Sequence, residues 1–166
     1  TAANAIATGR LSKSQGTSSV AIGNEADASG NYATAIGHLA KTADSWANAV
    51  GYQAQASGSS SIALGTLAKS TAHHSIAIGD RAEVNASAID SVAVGRAASV
   101  SAGATGAVSL GHGSVASIAN TVSVGNATLK RKLVNVGDGA VAATSSEAVT
   151  GKQLFATDQK ATTATT

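Results

Sequence analysis

One feature governs everything this chain can become: a glycine behind a large–small–large apolar triplet that returns along most of its length. Aligned on that glycine, the register runs Gly9, Gly23, Gly37, Gly51, Gly65, Gly79, Gly95, Gly111 and Gly125, with spacings of 14, 14, 14, 14, 14, 16, 16 and 14. The triplets read Val20-Ala21-Ile22, Ile62-Ala63-Leu64, Ile76-Ala77-Ile78 and Val92-Ala93-Val94, with Ser19, Ser61, Ser75 and Ser91 just ahead. Small residues recur three and five places after the glycine, as at Ala26 and Ala28, Ala54 and Ala56, and Ala68 and Ser70. A second small or polar residue follows, as at Gly30, Asp44 and Gly58. Each unit thus holds two short stretches of period-two alternation separated by turn chemistry, which is the signature of two strands and two bends. A unit of this kind is one coil of a β-solenoid. Nine coils at the interstrand spacing of about 4.8 Å make a rod of roughly 40 Å. The two 16-residue units, with additions near Ser87 to Ile89 and Ser101 to Thr105, are expected to bulge at a corner, where insertions in solenoids map.

Composition fits a narrow interior. The 166 residues include 18 glycines, one Trp, two Tyr, one Phe and no Cys, and alanine supplies much of the apolar content. With no bulky set to fill a conventional core, small side chains must face inward, among them Ala21, Ala35, Ala49, Ala63, Ala77 and Ala93. Strand alternation then sends both flanking positions outward. Val, Ile or Leu fills 15 of those 18 places, the exceptions being Thr8, Thr34 and Asn48. The resulting strip, formed by Val20, Ile22, Ile36, Val50, Ile62, Leu64, Ile76, Ile78, Val92, Val94, Val108, Leu110, Val122 and Val124, is larger than soluble monomers expose. Covering one such side chain is worth about 1.5–3 kcal/mol, so identical strips are expected to pack around a common axis; the sequence does not itself fix the number of copies.

After Gly125 the repeat ends. A basic cluster, Lys130-Arg131-Lys132, precedes the strand-like Leu133-Val134-Asn135-Val136 and the turn Gly137-Asp138-Gly139. Thr144-Ser145-Ser146-Glu147 has the form of a capping box and predicts a helix from Ala148 to about Lys160, interrupted at Gly151. Val149, Leu154 and Ala161 hint at the start of a coiled coil. The organisation expected is a head over 1–125, a neck over 126–154 and the start of a stalk over 155–166. A chain that opens on Thr1 rather than Met reads as an excised fragment.

The Ser-x-Ala-Ile-Gly-x-x-Ala-x-Ala repeats are followed by Leu133-Val134-Asn135-Val136-Gly137-Asp138-Gly139 and Ser146-Glu147-Ala148-Val149-Thr150-Gly151-Lys152-Gln153-Leu154. In that order they resemble the head and neck of YadA-type trimeric autotransporter adhesins, across roughly residues 5–160. The departures are Thr8 and Asn48 in aliphatic places, Ser114 where Ala is usual, and the two long units. The resemblance implies an all-β, left-handed parallel β-roll assembled as a homotrimer. It also implies a neck (Lys130, Arg131, Lys132, Asn135, Val136, Gly137 and Leu154) that crosses between subunits onto a coiled coil. An anchoring β-barrel beyond this fragment would hold the protein in the bacterial outer membrane, with the head outside the cell and binding host collagen, fibronectin or laminin. The alternative is a structural spacer whose ligand site lies elsewhere in the full-length protein.

Other chemistries find little support. A formal charge of +2 is too weak and dispersed for a nucleic-acid footprint. His73-His74, His38 and His112 supply at most two convergent metal ligands, so they read as exposed turn residues and no metal or organic cofactor is expected. No base and orienting acid accompany the many hydroxyls, so the chain is not read as an enzyme. The glycines lack the Lys-Ser/Thr of a phosphate loop. Acyltransferase β-helices use hexapeptides, of which 14 is not a multiple; ice-binding solenoids need periodic Thr, and calcium-binding β-rolls need Gly-Gly-x-Gly-x-Asp. Lys130-Arg131-Lys132 could bind a sulfated polysaccharide, but capping of carbonyls and pairing with Asp138 or Glu147 of a neighbouring subunit is the favoured role. Tyr32, Trp46 and Tyr52 fall in the early repeats and are candidate ligand anchors, with packing over adjacent coils as the plainer use.

Overall fold

A computed structural model of the chain, describing residues 2–164, shows a parallel β-roll followed by a smaller C-terminal unit. One sheet has nine strands: β1 (Ile6–Thr8), β3 (Val20–Ile22), β5 (Thr34–Ile36), β7 (Asn48–Val50), β9 (Ile62–Leu64), β11 (Ile76–Ile78), β13 (Val92–Val94), β15 (Val108–Leu110) and β17 (Val122–Ser123). The other has eight two-residue strands: β2 (Lys13–Ser14), β4 (Asp27–Ala28), β6 (Lys41–Thr42), β8 (Gln55–Ala56), β10 (Lys69–Ser70), β12 (Glu83–Val84), β14 (Ser99–Val100) and β16 (Val115–Ala116). The chain alternates between sheets, so every strand pairs in parallel with the strand one coil away and each repeat position stacks on itself. Ala21, Ala35, Ala49, Ala63, Ala77 and Ala93 form one such column.

That column is fully buried, as expected. Between the sheets lie mainly small residues, chiefly Ala, with Ser14, Ser19, Ser70, Ser75 and Ser91 among them. The two largest fully buried side chains are Val84 and Val100, and both belong to the 16-residue coils. Each extra pair of residues makes an additional turn, closed by Ala88 N–H donating to the Asn85 carbonyl (2.9 Å) and by Ala104 N–H to that of Ser101 (3.1 Å). Both insertions therefore sit at a corner, beside the places where the interior takes Val instead of Ala or Ser.

The corners repeat one backbone recipe. The residue two after the repeat glycine and the residue five before the next one lie in the left-handed region, including Leu11 (φ 56°), Leu39 (58°), Tyr32 (57°) and Trp46 (57°). Bulky residues rarely adopt this conformation. Here the stacked coils impose it through bonds such as Trp46 N–H to Asn31 O (2.9 Å) and Leu39 N–H to Asn24 O (3.0 Å). The repeat glycines are needed on two grounds. Gly37 has φ 130°, and a Cβ there would stand 2.4 Å from the Gly51 carbonyl oxygen of the next coil.

The C-terminal unit, from Lys132 on, carries a single helix, α1 (Gly151–Ala164). It starts three residues later than the sequence pattern predicts, because Gln153 rather than Glu147 reaches back to the residue ahead of the helix. Thr150 N–H donates to Gln153 Oε1 (3.0 Å), and Gln153 N–H donates to the Thr150 carbonyl (3.1 Å). Glu147, assigned from sequence to an earlier box, instead accepts from Ala140 N–H at 2.8 Å.

Candidate binding surfaces

Side chains five and three before the repeat glycine, one before it and one after it share the outward parity of the nine-stranded sheet. They make rows such as Ser18-Val20-Ile22-Asn24, Tyr32-Thr34-Ile36-His38 and Trp46-Asn48-Val50-Tyr52. The central columns are the aliphatic strip. In a single chain Ile22, Leu64, Leu110 and Val122 are exposed, while Val20, Ile36, Val50, Ile62, Ile76, Ile78, Val92, Val94, Val108 and Val124 are half-buried by their neighbours along the column. Strand alternation thus aims the strip where the sequence requires, out of the roll.

The three aromatic candidates separate into two clusters at opposite edges of this sheet. Tyr32 and Trp46 stack across adjacent coils with centroids 5.9 Å apart and planes at 9°. Tyr52 lies against His38 at the other edge, centroids 5.5 Å apart. Stacking does not hide them: Tyr32, Trp46 and Tyr52 remain 53%, 57% and 47% exposed. Asn48, which interrupts the aliphatic strip, donates from Nδ2 to the Trp46 carbonyl at 2.9 Å, holding that corner.

The eight-stranded sheet presents a different face. Its outward column reads Lys13, Asp27, Lys41, Gln55, Lys69 and Glu83 in register, so cations recur every second coil. Asp27 takes a hydrogen bond from Ser29 (2.8 Å), and among the described residues none of the three lysines has a carboxylate within ion-pair distance.

The histidines are held separately. His73 accepts from Ser59 N–H (3.2 Å), His74 faces Asp90 (3.3 Å), His38 contacts the Asn24 carbonyl (3.1 Å) and His112 meets Arg96 (2.9 Å). Among the described residues no three His, Asp or Glu side chains converge on one point.

The basic cluster is engaged with backbone. Arg131 folds back on the final coils, donating to the Ser114 hydroxyl (2.9 Å) and to the carbonyls of Val124 and His112. Lys130 donates to the Asn126 carbonyl (2.8 Å), while Lys132 is exposed. Carbonyl capping is thus observed within one chain, and it draws two of the three cations away from any polyanion. Asp138 pairs with Lys152 (2.8 Å) rather than with this cluster. The same carboxylate accepts from the Thr150 hydroxyl (2.7 Å), and these two bonds hold its pKa below the ordinary value. Gln153 is the hub of the C-terminal unit, and position alone did not single it out. Its amide donates to the Gly139 carbonyl (2.6 Å) and its oxygen accepts from Gly139 N–H (3.2 Å). Asn135 adopts φ 60°, and Leu133, Val134, Val136 and Leu154 are all exposed in the single chain.

Comparison with known proteins agrees with this architecture. The YadA head domain repeat family, two copies per unit, matches residues 1–26, 14–40, 28–44, 49–68 and 56–82. A 43-residue stretch is 51% identical to the autotransporter adhesin BtaE of Brucella suis, covering 26% of this chain and 6% of that protein. The collagen-binding domain of the Yersinia adhesin YadA superposes with a TM-score of 0.71 at 28% identity, over 85% of this chain and 75% of that one. Repeat register, two-sheet roll and the family match within residues 1–82 together make this chain similar to YadA heads.

Proposed function

We propose that this chain is the head, neck and first stalk segment of a bacterial surface adhesin, trimeric and anchored in the outer membrane by a segment outside the sequence, that binds host extracellular matrix protein. The observation that carries the reading is the roll itself. It repeats the same shallow surface at each coil, and it shares its fold with a domain that binds collagen. Copies joined through the aliphatic strip would present three such surfaces to one polymer, so weak contacts would gain from effective concentration. The faces left for ligand are then the outward eight-stranded sheet with Lys13, Lys41 and Lys69 and the outer corners. Tyr32, Trp46 and Tyr52 carry exposed aromatic area that either a ligand or a neighbouring subunit can cover.

The test is binding of the chain to immobilised collagen, fibronectin and laminin, beside an Ile78→Asp variant. That change puts a charge into the strip three times about the axis and is expected to yield monomers. Trimers that hold the surface while monomers wash off support the reading. Equal retention of both overturns multivalency, and no binding of trimers to any matrix protein favours a spacer.

A further inference from the structure

The roll repeats with every coil, but its outward eight-stranded face repeats with every second one. The positions two and four after the repeat glycine read Leu11 and Lys13, Leu39 and Lys41, and Leu67 and Lys69 on alternate coils. The coils between carry Glu25 and Asp27, Gln53 and Gln55, and Arg81 and Glu83 at the same places. The interior shows no such alternation: Ala26, Ala40, Ala54, Ala68 and Ala82 are buried alike in successive coils. Folding therefore does not require the longer period. Nor do the alternating charges tie coils together, because among the described residues none of the three lysines has a carboxylate within ion-pair distance. Lys13, Lys41 and Lys69 stand exposed, whereas Glu25, Asp27, Gln53 and Gln55 lie half-buried between them. Leu11, Leu39 and Leu67 hold left-handed corners, at φ 56°, 58° and 57°, where a bulky residue costs strain. Across the first three coils Leu11, Lys13, Glu25, Asp27, Leu39 and Lys41 line a groove of about 250 Å³.

Such a face offers one cation and one apolar spot every two coils, about 9.6 Å, with hydrogen-bonding groups between them. A linear polymer of the same period fits it. One pyranose ring advances a glycan by roughly the height of one coil, about 4.8 Å, so alternate rings fall on alternate rows. Each lysine can then meet a ring carboxylate and each leucine the C–H face of the same ring, while the carboxylates and amides of the intervening row bond ring hydroxyls and amides. Glu25 and Asp27 repel any second anion, so the polymer must carry its charge on every other ring only. We propose that this face binds an acidic glycan in which a uronate alternates with an uncharged N-acetylated amino sugar, laid along the roll at one disaccharide per two coils. The face is opposite the aliphatic strip, so each chain holds a complete site with or without partners. This inference goes beyond the matrix-protein reading and does not rest on it.

The probe is unsulfated chondroitin, cut to defined lengths and titrated calorimetrically into the full chain at low salt. The hexasaccharide spans all three lysines and should bind about ten-fold more tightly than the tetrasaccharide, which reaches two. Lys13→Gln, Lys41→Gln and Lys69→Gln combined should weaken the hexasaccharide by more than about ten-fold, with the far-ultraviolet dichroism unchanged. Lys41→Gln with Gln55→Lys keeps the net charge but moves the middle cation one coil out of phase, and it should bind no better than Lys41→Gln alone. Heparin, charged on nearly every ring, should bind less tightly than chondroitin of equal length, and Asp27→Asn should narrow that difference. Ile78→Asp monomers should bind the hexasaccharide as the unmodified chain does, which separates this site from assembly. No binding of chondroitin at any length, or equal binding by the triple variant or the phase-shifted variant, overturns the proposal. Heparin bound more tightly than chondroitin overturns it as well and reduces the lysines to general polyanion attraction. Lysine variants that lose matrix protein while no glycan binds also overturn it, and they leave the matrix-protein reading standing.

Discussion

Ser70 and Ser75 place their hydroxyl oxygens 2.7 Å apart in the interior of a single coil, with no access to water. Ser75 donates its proton to the Ala72 carbonyl (2.6 Å), so Ser70 is the donor to Ser75. Ser75→Ala strands a buried donor and weakens a carbonyl, and should cost about 1–3 kcal/mol. Removing both hydroxyls should cost less than that single change, because Ala28 and Ala33 already fill the equivalent places three coils away. Ser61 has a buried hydroxyl without a partner, and Ser61→Ala should leave the roll unchanged or firmer. Thermal midpoints of the unmodified chain and these three variants check this; a double variant that loses more than Ser75→Ala alone would show that the pair is not the unit.

The repeat glycines and Gly151 should respond oppositely to alanine. At Gly37 the new Cβ meets a backbone oxygen at 2.4 Å and the residue is held at φ 130°, so neither a rotamer nor a small shift relieves it. Gly37→Ala is expected to cost upward of about 3 kcal/mol, the range of strained backbone and overpacking together. Gly151 opens α1 with nothing within 4 Å of its Cβ position and no positive φ, and Gly151→Ala should steady the helix by about 0.5–1 kcal/mol. Far-ultraviolet dichroism during heating reads both; a harmless Gly37→Ala would mean that the coils can move apart.

Much of this was legible from periodicity alone. The glycine register gave the coil, the central alanines gave the interior, and the aliphatic neighbours gave the outward strip, because a two-residue period leaves each side chain only two directions. The corners were less legible. Leu39, Tyr32 and Trp46 are poor left-handed residues by local preference, and it is hydrogen bonds to the preceding coil that hold them there. The helix start was misplaced because two Thr-x-x-Glu/Gln patterns compete six residues apart, and only tertiary contact shows Glu147 spent on Ala140. Val84 and Val100 were visible as residues, but their link to the longer coils needed the packed interior.

The anchoring of α1 should fail in acid and not in base. Asp138 holds Lys152 and the Thr150 hydroxyl as a carboxylate, and these bonds put its pKa below the ordinary value in the folded state. A carboxyl depressed by folding stabilises fully above its unfolded value, about 3.9, and loses that contribution as pH falls through the lower folded one. From pH 5 upward the contact should therefore be constant, and below pH 4 it should be lost progressively. Both partners are largely solvated, so salt should weaken the ion pair as well. The Asp138 carboxyl carbon shift, followed by NMR from pH 2 to 7 alongside the amides of Thr150 to Lys152, should titrate with a midpoint below that of a model aspartate. Lys152→Ala should move the midpoint upward while leaving the Thr150 bond in place. A midpoint at or above the model value in the unmodified chain would show that Asp138 does not hold the helix start.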